Sequence, residues 1–492
     1  MEAGLQSKFF KMTILPNIIN GSPIFSKSND NELMVKINPC NENILCKFPI
    51  SSETDVKIAV DVCEDIYPIW SNFTPIIRGH YIFEIVSLMK QNKDSLIELI
   101  HLETGKSKKD ALGEVDASIS QGIFFASEGT RFYGKTLTSS VEGKNSYTIR
   151  MPLGIVGLIV PANTPLANIC WKLFPALLCG NTVILKASED APMLANFFVE
   201  MIYKSSLPKG VVNLLHGDGT TGKLIVSNSK IRLVSFTGST EVGKIIVQNS
   251  SKDLKRLSLE LGGKNCMIIC DDAKIEEALH WTILSAFSNA GQRCAAASKI
   301  LIFENIYDLF VEKLKDKVNK FKIGSDDNCD YGPVINKKQY LRIKKFVEEA
   351  EKEGAVNIIN KVKIPDIGYF LSPVIFENVR NDSFLNDLEI FGPVIILQKI
   401  NSLNNALDIM SKSIYGLTAA IHTSNIDRAL WFANKSRTGV LNINLGTYGS
   451  EPHMPFGGFN QSGNGTREPG TEALDVYTEI KNISILNRDK YI

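Results

Sequence analysis

Gly154-Ile-Val-Gly-Leu-Ile-Val160 is the stretch on which the fold turns: an uncharged apolar run too short for a helix. Such a run is a strand buried on both faces. Working outward, residues 165–179 carry a helical pattern and Thr182-Val-Ile-Leu185 is a second apolar strand. A helix over 190–204 follows, and then strands at Val211-Val-Asn-Leu-Leu215 and Arg232-Leu-Val-Ser-Phe236. Apolar strands alternating with helices specify a parallel sheet covered on both sides. A second alternating block runs from about 266 to 445. The expected fold class is therefore α/β, with two doubly wound domains that meet near residue 260.

The flanks read differently. Residues 1–50 are irregular or strand-like. Helical patterns follow near 54–71, 76–104 and 107–130. The second has apolar positions Ile82, Ile85, Leu88, Met89, Leu96 and Leu99, with Gly105 placed as its C-terminal cap. Residues 135–150 turn polar and rich in Thr and Ser, as in a hairpin with Glu142-Gly143 near its turn. The tail from Leu474 to Ile485 alternates as a terminal strand would.

Composition narrows the function classes. The 492 residues carry 54 Lys plus Arg and 53 Asp plus Glu, a net charge of +1. A nucleic-acid binder held by phosphate neutralisation needs a basic excess, and so does a polybasic membrane-surface protein. No run approaches the roughly 18 apolar residues of a membrane span, and the N-terminus lacks a basic-then-apolar signal pattern. The nine cysteines form no C-x-x-C pair, which argues against zinc and against a disulfide framework. Reduced thiols in a cytoplasmic protein are the simplest expectation.

Polar or Gly-rich segments sit beside the strands. In order they are Pro161-Ala-Asn-Thr-Pro165, Lys186-Ala-Ser-Glu189, Phe236-Thr-Gly-Ser-Thr-Glu-Val-Gly243 and Leu259-Glu-Leu-Gly-Gly-Lys-Asn265. Phe287-Ser-Asn-Ala-Gly-Gln-Arg-Cys294, Glu389-Ile-Phe-Gly-Pro393 and Pro455-Phe-Gly-Gly-Phe-Asn-Gln-Ser-Gly463 complete the set. In this order and spacing, over nearly the whole length, the chain resembles the aldehyde dehydrogenase superfamily, in its hydrolytic branch. The resemblance implies a cofactor-binding domain from 1–134 and 152–260 and a catalytic domain from 261–460. It also implies oligomerisation strands at 135–151 and 473–492, and so a homodimer or homotetramer.

Cys294 follows Gly-Gln in a polar turn. A thiolate is the strongest common side-chain nucleophile near neutral pH, although a lone cysteine is usually a small buried hydrophobe. The resemblance assigns it the nucleophile's role and leaves Cys179, Cys266 and Cys270, which lie in apolar runs, as packing residues. Glu260 stands between leucines at a strand end, where loss of hydration raises a carboxylate's pKa toward a general base's range. A plain ion pair with Lys264 is the alternative. In the family this glutamate activates the water that hydrolyses a thioester, whereas branches that pass the acyl group to coenzyme A often lack it. Asn163, between Pro161 and Pro165, is either a turn residue or a rigid oxyanion donor. The resemblance pairs its side chain with the Cys294 backbone N–H. The family commonly flanks this asparagine with Trp and Phe, where this chain has Ala162 and Thr164. Lys172 and Glu468 match a buried pair that relays protons from the catalytic glutamate, or form a structural salt bridge.

For the cofactor, Gly217-x-Gly219-x-x-Gly222 matches the dinucleotide fingerprint, but taken alone the motif is weak. The resemblance puts this segment, with Gly222, beside the adenine end. Phosphate falls to Gly238 and Ser239, at a helix N-terminus. Lys186, Ser188 and Glu189 take the adenosine ribose, where the Glu189 carboxylate disfavours a 2′-phosphate, so NAD is expected over NADP. Pro161 and Gly262 join the cofactor set, and Glu389 and Phe391 hold the nicotinamide end. No metal is expected. The implied reaction oxidises a small-molecule aldehyde to its acid. Arg293 beside the nucleophile suggests a semialdehyde bearing a carboxylate, or else pairs structurally; His453 is a weaker candidate for substrate contact. The rivals are a coenzyme-A-acylating dehydrogenase and a catalytically idle binding protein on the same fold.

Overall fold

The computed structural model describes residues 13–25 and 33–487. The outer ends of the expected 1–134 and 473–492 segments, residues 1–12 and 488–492, lie outside the described residues.

Strand Ile155–Ile159 shows why the apolar runs are continuous. Val156 and Leu158 enter one hydrophobic core, Ile155 and Ile159 the core on the opposite face. Both faces are packed, so no position is left for a polar residue. Its sheet has the order Arg256–Glu260, Ile231–Thr237, Ile155–Ile159, Thr182–Lys186, Val212–Leu215, Asn17–Ile19, Ser22–Ile24. The first five strands are parallel, and the two N-terminal strands extend the edge antiparallel.

The second sheet repeats the pattern. Its order is Val356–Asn357, Val374–Glu377, Val394–Ile400, Ala297–Phe303, Asn265–Ile269, Thr418–His422, Val440–Ile443. Met267 and Ile269 face one core, Cys266, Ile268 and Cys270 the other. Only Leu261–Lys264 separate the last strand of the first sheet from the first strand of the second. The two α/β units are therefore joined where Glu260 ends one sheet and Asn265 begins the next.

A third, antiparallel sheet contains Thr136–Leu137, Lys144–Pro152 and Thr478–Leu486. The C-terminal strand pairs along the whole of Lys144–Pro152, from Thr478↔Pro152 to Leu486↔Lys144. Gly143, at φ +74°, closes the turn into this strand.

One expected element is corrected. The helical pattern over 76–104 is two helices, Pro75–Gln91 and Lys93–Thr104. Asn92 leaves helical geometry and its side chain donates to the Leu88 carbonyl at 2.8 Å. A short amide that bonds the backbone locally competes with the helix, and the apolar period alone does not register it. Gly105 does cap the second helix, in the left-handed conformation at φ +74°.

Among the described residues no helix is long and apolar enough to cross a membrane. Among those same described residues no group of three His, Cys, Asp or Glu is placed to hold a metal. All nine cysteines are free thiols.

Candidate active site

Chain order reverses between strands Ile155–Ile159 and Ile231–Thr237. From the first, the chain steps outward to Thr182–Lys186 and Val212–Leu215, then returns to the other side. The loops diverge at such a switch point and leave a crevice at the carboxyl ends of the strands. Pro161, Thr237 and Gly238 line that crevice here. The opposite wall comes from the second sheet's N-terminal edge: Cys294 and Ala295 before Ala297–Phe303, and Glu389 and Phe391 before Val394–Ile400. The enclosed cavity measures about 650 Å³.

The loop carrying Cys294 is held in an unusual shape. Asn289, Ala290 and Gly291 lie consecutively in left-handed backbone, at φ +54°, +53° and +68°. For alanine that conformation is strained and needs surrounding contacts to impose it. Gln292 supplies some: its amide donates to the Asn289 and Pro333 carbonyls and accepts from Ile335 N. Asn265, the first residue of its strand, donates to the carbonyls of Cys294 at 2.7 Å and Ala296 at 2.9 Å. Asn163 Nδ2 donates to the Gln292 carbonyl at 3.0 Å, two residues before Cys294. Fold and loop thus bring Asn163 and Cys294 onto one cavity.

The Asn163 turn has its own support. Lys106 Nζ donates to the Asn163 carbonyl at 2.9 Å and pairs with Glu114 at 2.7 Å, both side chains buried. Glu114 accepts in turn from Leu166 N and Ala167 N, capping the helix Pro165–Leu178. Thr164 lines the cavity with its hydroxyl accepting from Asn168. Aromatic walls come instead from Trp171, Tyr448 and Phe456.

Burial, then the carboxylates of Glu389 and Glu260, push the Cys294 thiol up to about 12. Glu260 is buried and neither oxygen has a hydrogen-bond partner. Burial and the neighbouring Glu468 lift its pKa well above the ordinary carboxylate range, while Lys172 and Arg467 draw it part of the way back. Lys264 is not its partner, since that ammonium is bonded to the Leu388 carbonyl at 3.0 Å. Glu260 instead lies near Gly457, where an added Cβ would stand 2.8 Å from Oε1. It does not itself line the cavity, whereas the next two residues, Leu261 and Gly262, do.

Lys172 and Glu468 form an ion pair at 2.6 Å, each about 1% exposed. Ser235 accepts from Lys172 and donates to Glu468, and Ser258 and Tyr477 donate to the same carboxylate oxygen.

The ten cofactor candidates divide by position. Pro161, Gly238, Ser239, Gly262, Glu389 and Phe391 line the cavity with Cys294. Lys186, Ser188, Glu189 and Gly222 do not; they gather beyond the end of the adjacent strand. There Lys186 Nζ lies 3.7 Å from Glu189, and a Cβ on Gly222 would stand at ordinary van der Waals contact, 3.9 Å, from the Lys186 side chain. Ser239 caps the helix Thr240–Ser250, accepting from Val242 N, and the first-turn N–H groups of a helix attract phosphate. Glu389 packs so closely on Gly262 that a Cβ there would meet Oε2 at 2.1 Å. Its carboxylate accepts from Gly263 N, and burial raises it to about 7. The helix N-terminus at Ser239 and the half-exposed Glu189 carboxylate suit the phosphate and ribose of a nucleotide. Arg293 lines the cavity with its guanidinium 4.5 Å over the Tyr448 ring, and its Nε is buried without a partner. His453 is exposed and outside the cavity wall.

Lys106, Glu114, Gln292 and Asn265 are the supports that sequence reasoning passes over. Gln292 and Asn265 lie inside quoted motifs, and Asn289-Ala-Gly291 carries a turn signal. Nothing local marks Lys106 or Glu114.

A model of the aldehyde dehydrogenase family matches residues 25–483. The chain is 36% identical over 467 residues to an aldehyde dehydrogenase of Emericella nidulans, covering 93% of each. It is 35% identical over 478 residues to an alpha-ketoglutaric semialdehyde dehydrogenase of Bacillus subtilis, covering 95% of this chain and 97% of that one. Its fold matches a crystal structure of betaine aldehyde dehydrogenase from Staphylococcus aureus in complex with NAD+ at TM-score 0.94. That match has 29% identity and covers 100% of this chain and 98% of that chain.

Proposed function

We propose, since this chain belongs to the aldehyde dehydrogenase family of oxidoreductases, that it oxidises an aldehyde to the free carboxylic acid with NAD+, Cys294 forming the covalent intermediate. The observation that carries this is the shared cavity of Asn163 and Cys294, with the unpartnered Glu260 carboxylate next in the chain to the cavity-lining Leu261 and close enough to act on the Cys294 thiol.

Cys294 Sγ bonds to the aldehyde carbon as the C=O π pair moves onto oxygen, and the thiol proton passes to water. Asn163 Nδ2 has a second N–H beyond the one given to Gln292, and with the Cys294 backbone N–H it holds the oxyanion of the thiohemiacetal. Gly238, Ser239 and Gly262 would hold the dinucleotide's phosphates and Glu389 and Phe391 its nicotinamide end, with Lys186, Ser188, Glu189 and Gly222 at the adenosine. A nicotinamide held there would supply the acceptor for the hydride of the thiohemiacetal carbon, after which Cys294 carries the acyl group as a thioester. Glu260 takes a proton from water as that water attacks the thioester, and the acid and the thiol separate. The Lys172–Glu468 pair lies next to Glu260 and serves as the next station for that proton.

Half-exposed Glu189 favours NAD over NADP. Arg293, with an unpartnered Nε on the cavity, supports an aldehyde that also bears a carboxylate, and the B. subtilis relative is named for such a semialdehyde. The exposed faces of the small sheet, with Tyr147, Met151, Ile480 and Ile485, support a homodimer or homotetramer. Nine free thiols suit a cytoplasmic setting.

The test is an aldehyde panel followed at 340 nm, the absorbance of reduced nicotinamide, with NAD+ and NADP+. Cys294→Ala should abolish oxidation. Glu260→Gln should release one equivalent of reduced cofactor per chain and then stall. Steady turnover by Glu260→Gln, or a requirement for coenzyme A, would overturn the mechanism. A semialdehyde should exceed its uncharged analogue in kcat/KM, and Arg293→Met should erase that preference.

A further inference from the structure

A second cavity, of about 400 Å³, shares no lining residue with the first. It opens at the N-terminal edge of the second sheet, on the face of Cys266 and Leu301. Four cationic residues line it, Lys264, Lys299, Lys435 and Arg437, against a single carboxylate, Asp408. Lys299 and Lys264 are buried, at 4% and 6% exposure. Lys264 gives one hydrogen bond, to the Leu388 carbonyl. The Lys299 side chain has neither a hydrogen bond nor an ion pair among the described residues. It sits next to Cys266 in the sheet register, so the strand itself holds it there.

A buried ammonium without a counter-charge is unfavourable, and a second beside it more so. Burial and the nearby Lys299 push Lys264 down to about 7. The buried hydroxyls of Thr418 and Thr438, two further lining residues, also lack partners. Buried donors without acceptors, in a hollow with excess positive charge, have the chemistry of an anion site.

We propose that this cavity binds a small oxyanion of the phosphate type, with Lys299 and Lys264 on its inner wall and Arg437 and Lys435 at its mouth. Arg437 offers a planar fork that takes two oxygens at once. Leu407 and Met410 add apolar surface, which gives room for the short carbon chain of a phosphate monoester. The site is separate from the proposed catalysis and stands or falls independently of it.

The test is calorimetric titration of the full chain with inorganic phosphate, and with glycerol phosphate, at constant ionic strength set by chloride. Saturable binding is expected, weakened about tenfold or more by Lys299→Met, which removes a buried charge-assisted bond. Arg437→Ala alters an exposed side chain and should weaken binding severalfold, so it decides the matter if Lys299→Met fails to fold. Tighter binding of glycerol phosphate would identify an ester; equal binding, the free ion. No saturable binding, or unchanged affinity in the folded variants, would overturn the proposal, the latter by placing the phosphate elsewhere.

Discussion

Lys172→Met should be the most informative single change behind the active site. It removes the ammonium from an ion pair of 2.6 Å in which both side chains are about 1% exposed. Glu468 keeps the hydroxyls of Ser235, Ser258 and Tyr477 on one oxygen but loses the only donor on the other. Breaking a buried pair from one side typically costs about 3–5 kcal/mol. Glu468→Gln keeps the three hydroxyl contacts on its amide oxygen but turns an N–H donor toward the uncompensated Lys172 ammonium, so it should cost a similar amount, about 3–5 kcal/mol. Because the two residues touch, the double variant should fall short of the sum by about 1–3 kcal/mol. Urea denaturation followed by tryptophan fluorescence would measure all three. The pH profile of turnover separates this pair from a merely structural one. Lys172 draws the Glu260 pKa down and Glu468 pushes it up. The alkaline rise in rate should therefore move to higher pH in Lys172→Met and to lower pH in Glu468→Gln. A loss below about 1 kcal/mol in Lys172→Met would show the pair to be hydrated. Unmoved or like-signed pH profiles would show that Glu260 does not feel it.

Three other outcomes follow from the geometry. With its thiol pushed up to about 12, free Cys294 should react slowly with iodoacetamide at pH 7. The rate should climb about tenfold per pH unit to pH 10, since only the thiolate reacts; a plateau below pH 9 in peptide mass spectrometry would reveal a cation at the sulfur. Asn265→Ala leaves the Cys294 and Ala296 carbonyls and Thr418 N without their partner. It should lose about 2–4 kcal/mol of stability and about a hundredfold in kcat, because a nucleophile displaced by an ångström loses alignment; wild-type kcat would mean the loop holds without it. Gly457→Ala puts a Cβ 2.8 Å from both Glu260 Oε1 and the Thr466 carbonyl, at φ +150°. It should cost about 1–3 kcal/mol and slow thioester hydrolysis more than hydride transfer in single-turnover kinetics; equal slowing of both would free Glu260 from the effect.

Periodicity was enough for the large elements. Continuous apolar runs arise only where both faces of a strand are packed, so Gly154–Val160 and its successors announce two covered parallel sheets without any long-range information. Cys294 and Glu260 also stand out in sequence as polar groups in Gly-containing motifs, and Asn163 as a polar group in a turn between two prolines. The partners of these groups were less legible. Lys264 is the obvious cation near Glu260 in sequence, yet the charges that act on Glu260 are Glu468, Lys172 and Arg467, and the ion-paired Lys172 and Glu468 are 296 residues apart. The break at Asn92 shows the same limit at short range, since one side-chain bond to Leu88 outweighs an unbroken apolar period.

Local chemistry is written residue by residue, so the chain alone dictates which strands are buried, where the helices cap and which groups are reactive. Ion-pair partners and pKa values depend on distance in space and on exclusion of water, which arise only when the carboxyl edge of one sheet meets the amino edge of the other. That is why the Lys106–Glu114 support of Asn163, the solitary Glu260 carboxylate and the unpaired Lys299 belong to the folded molecule and to no segment of it.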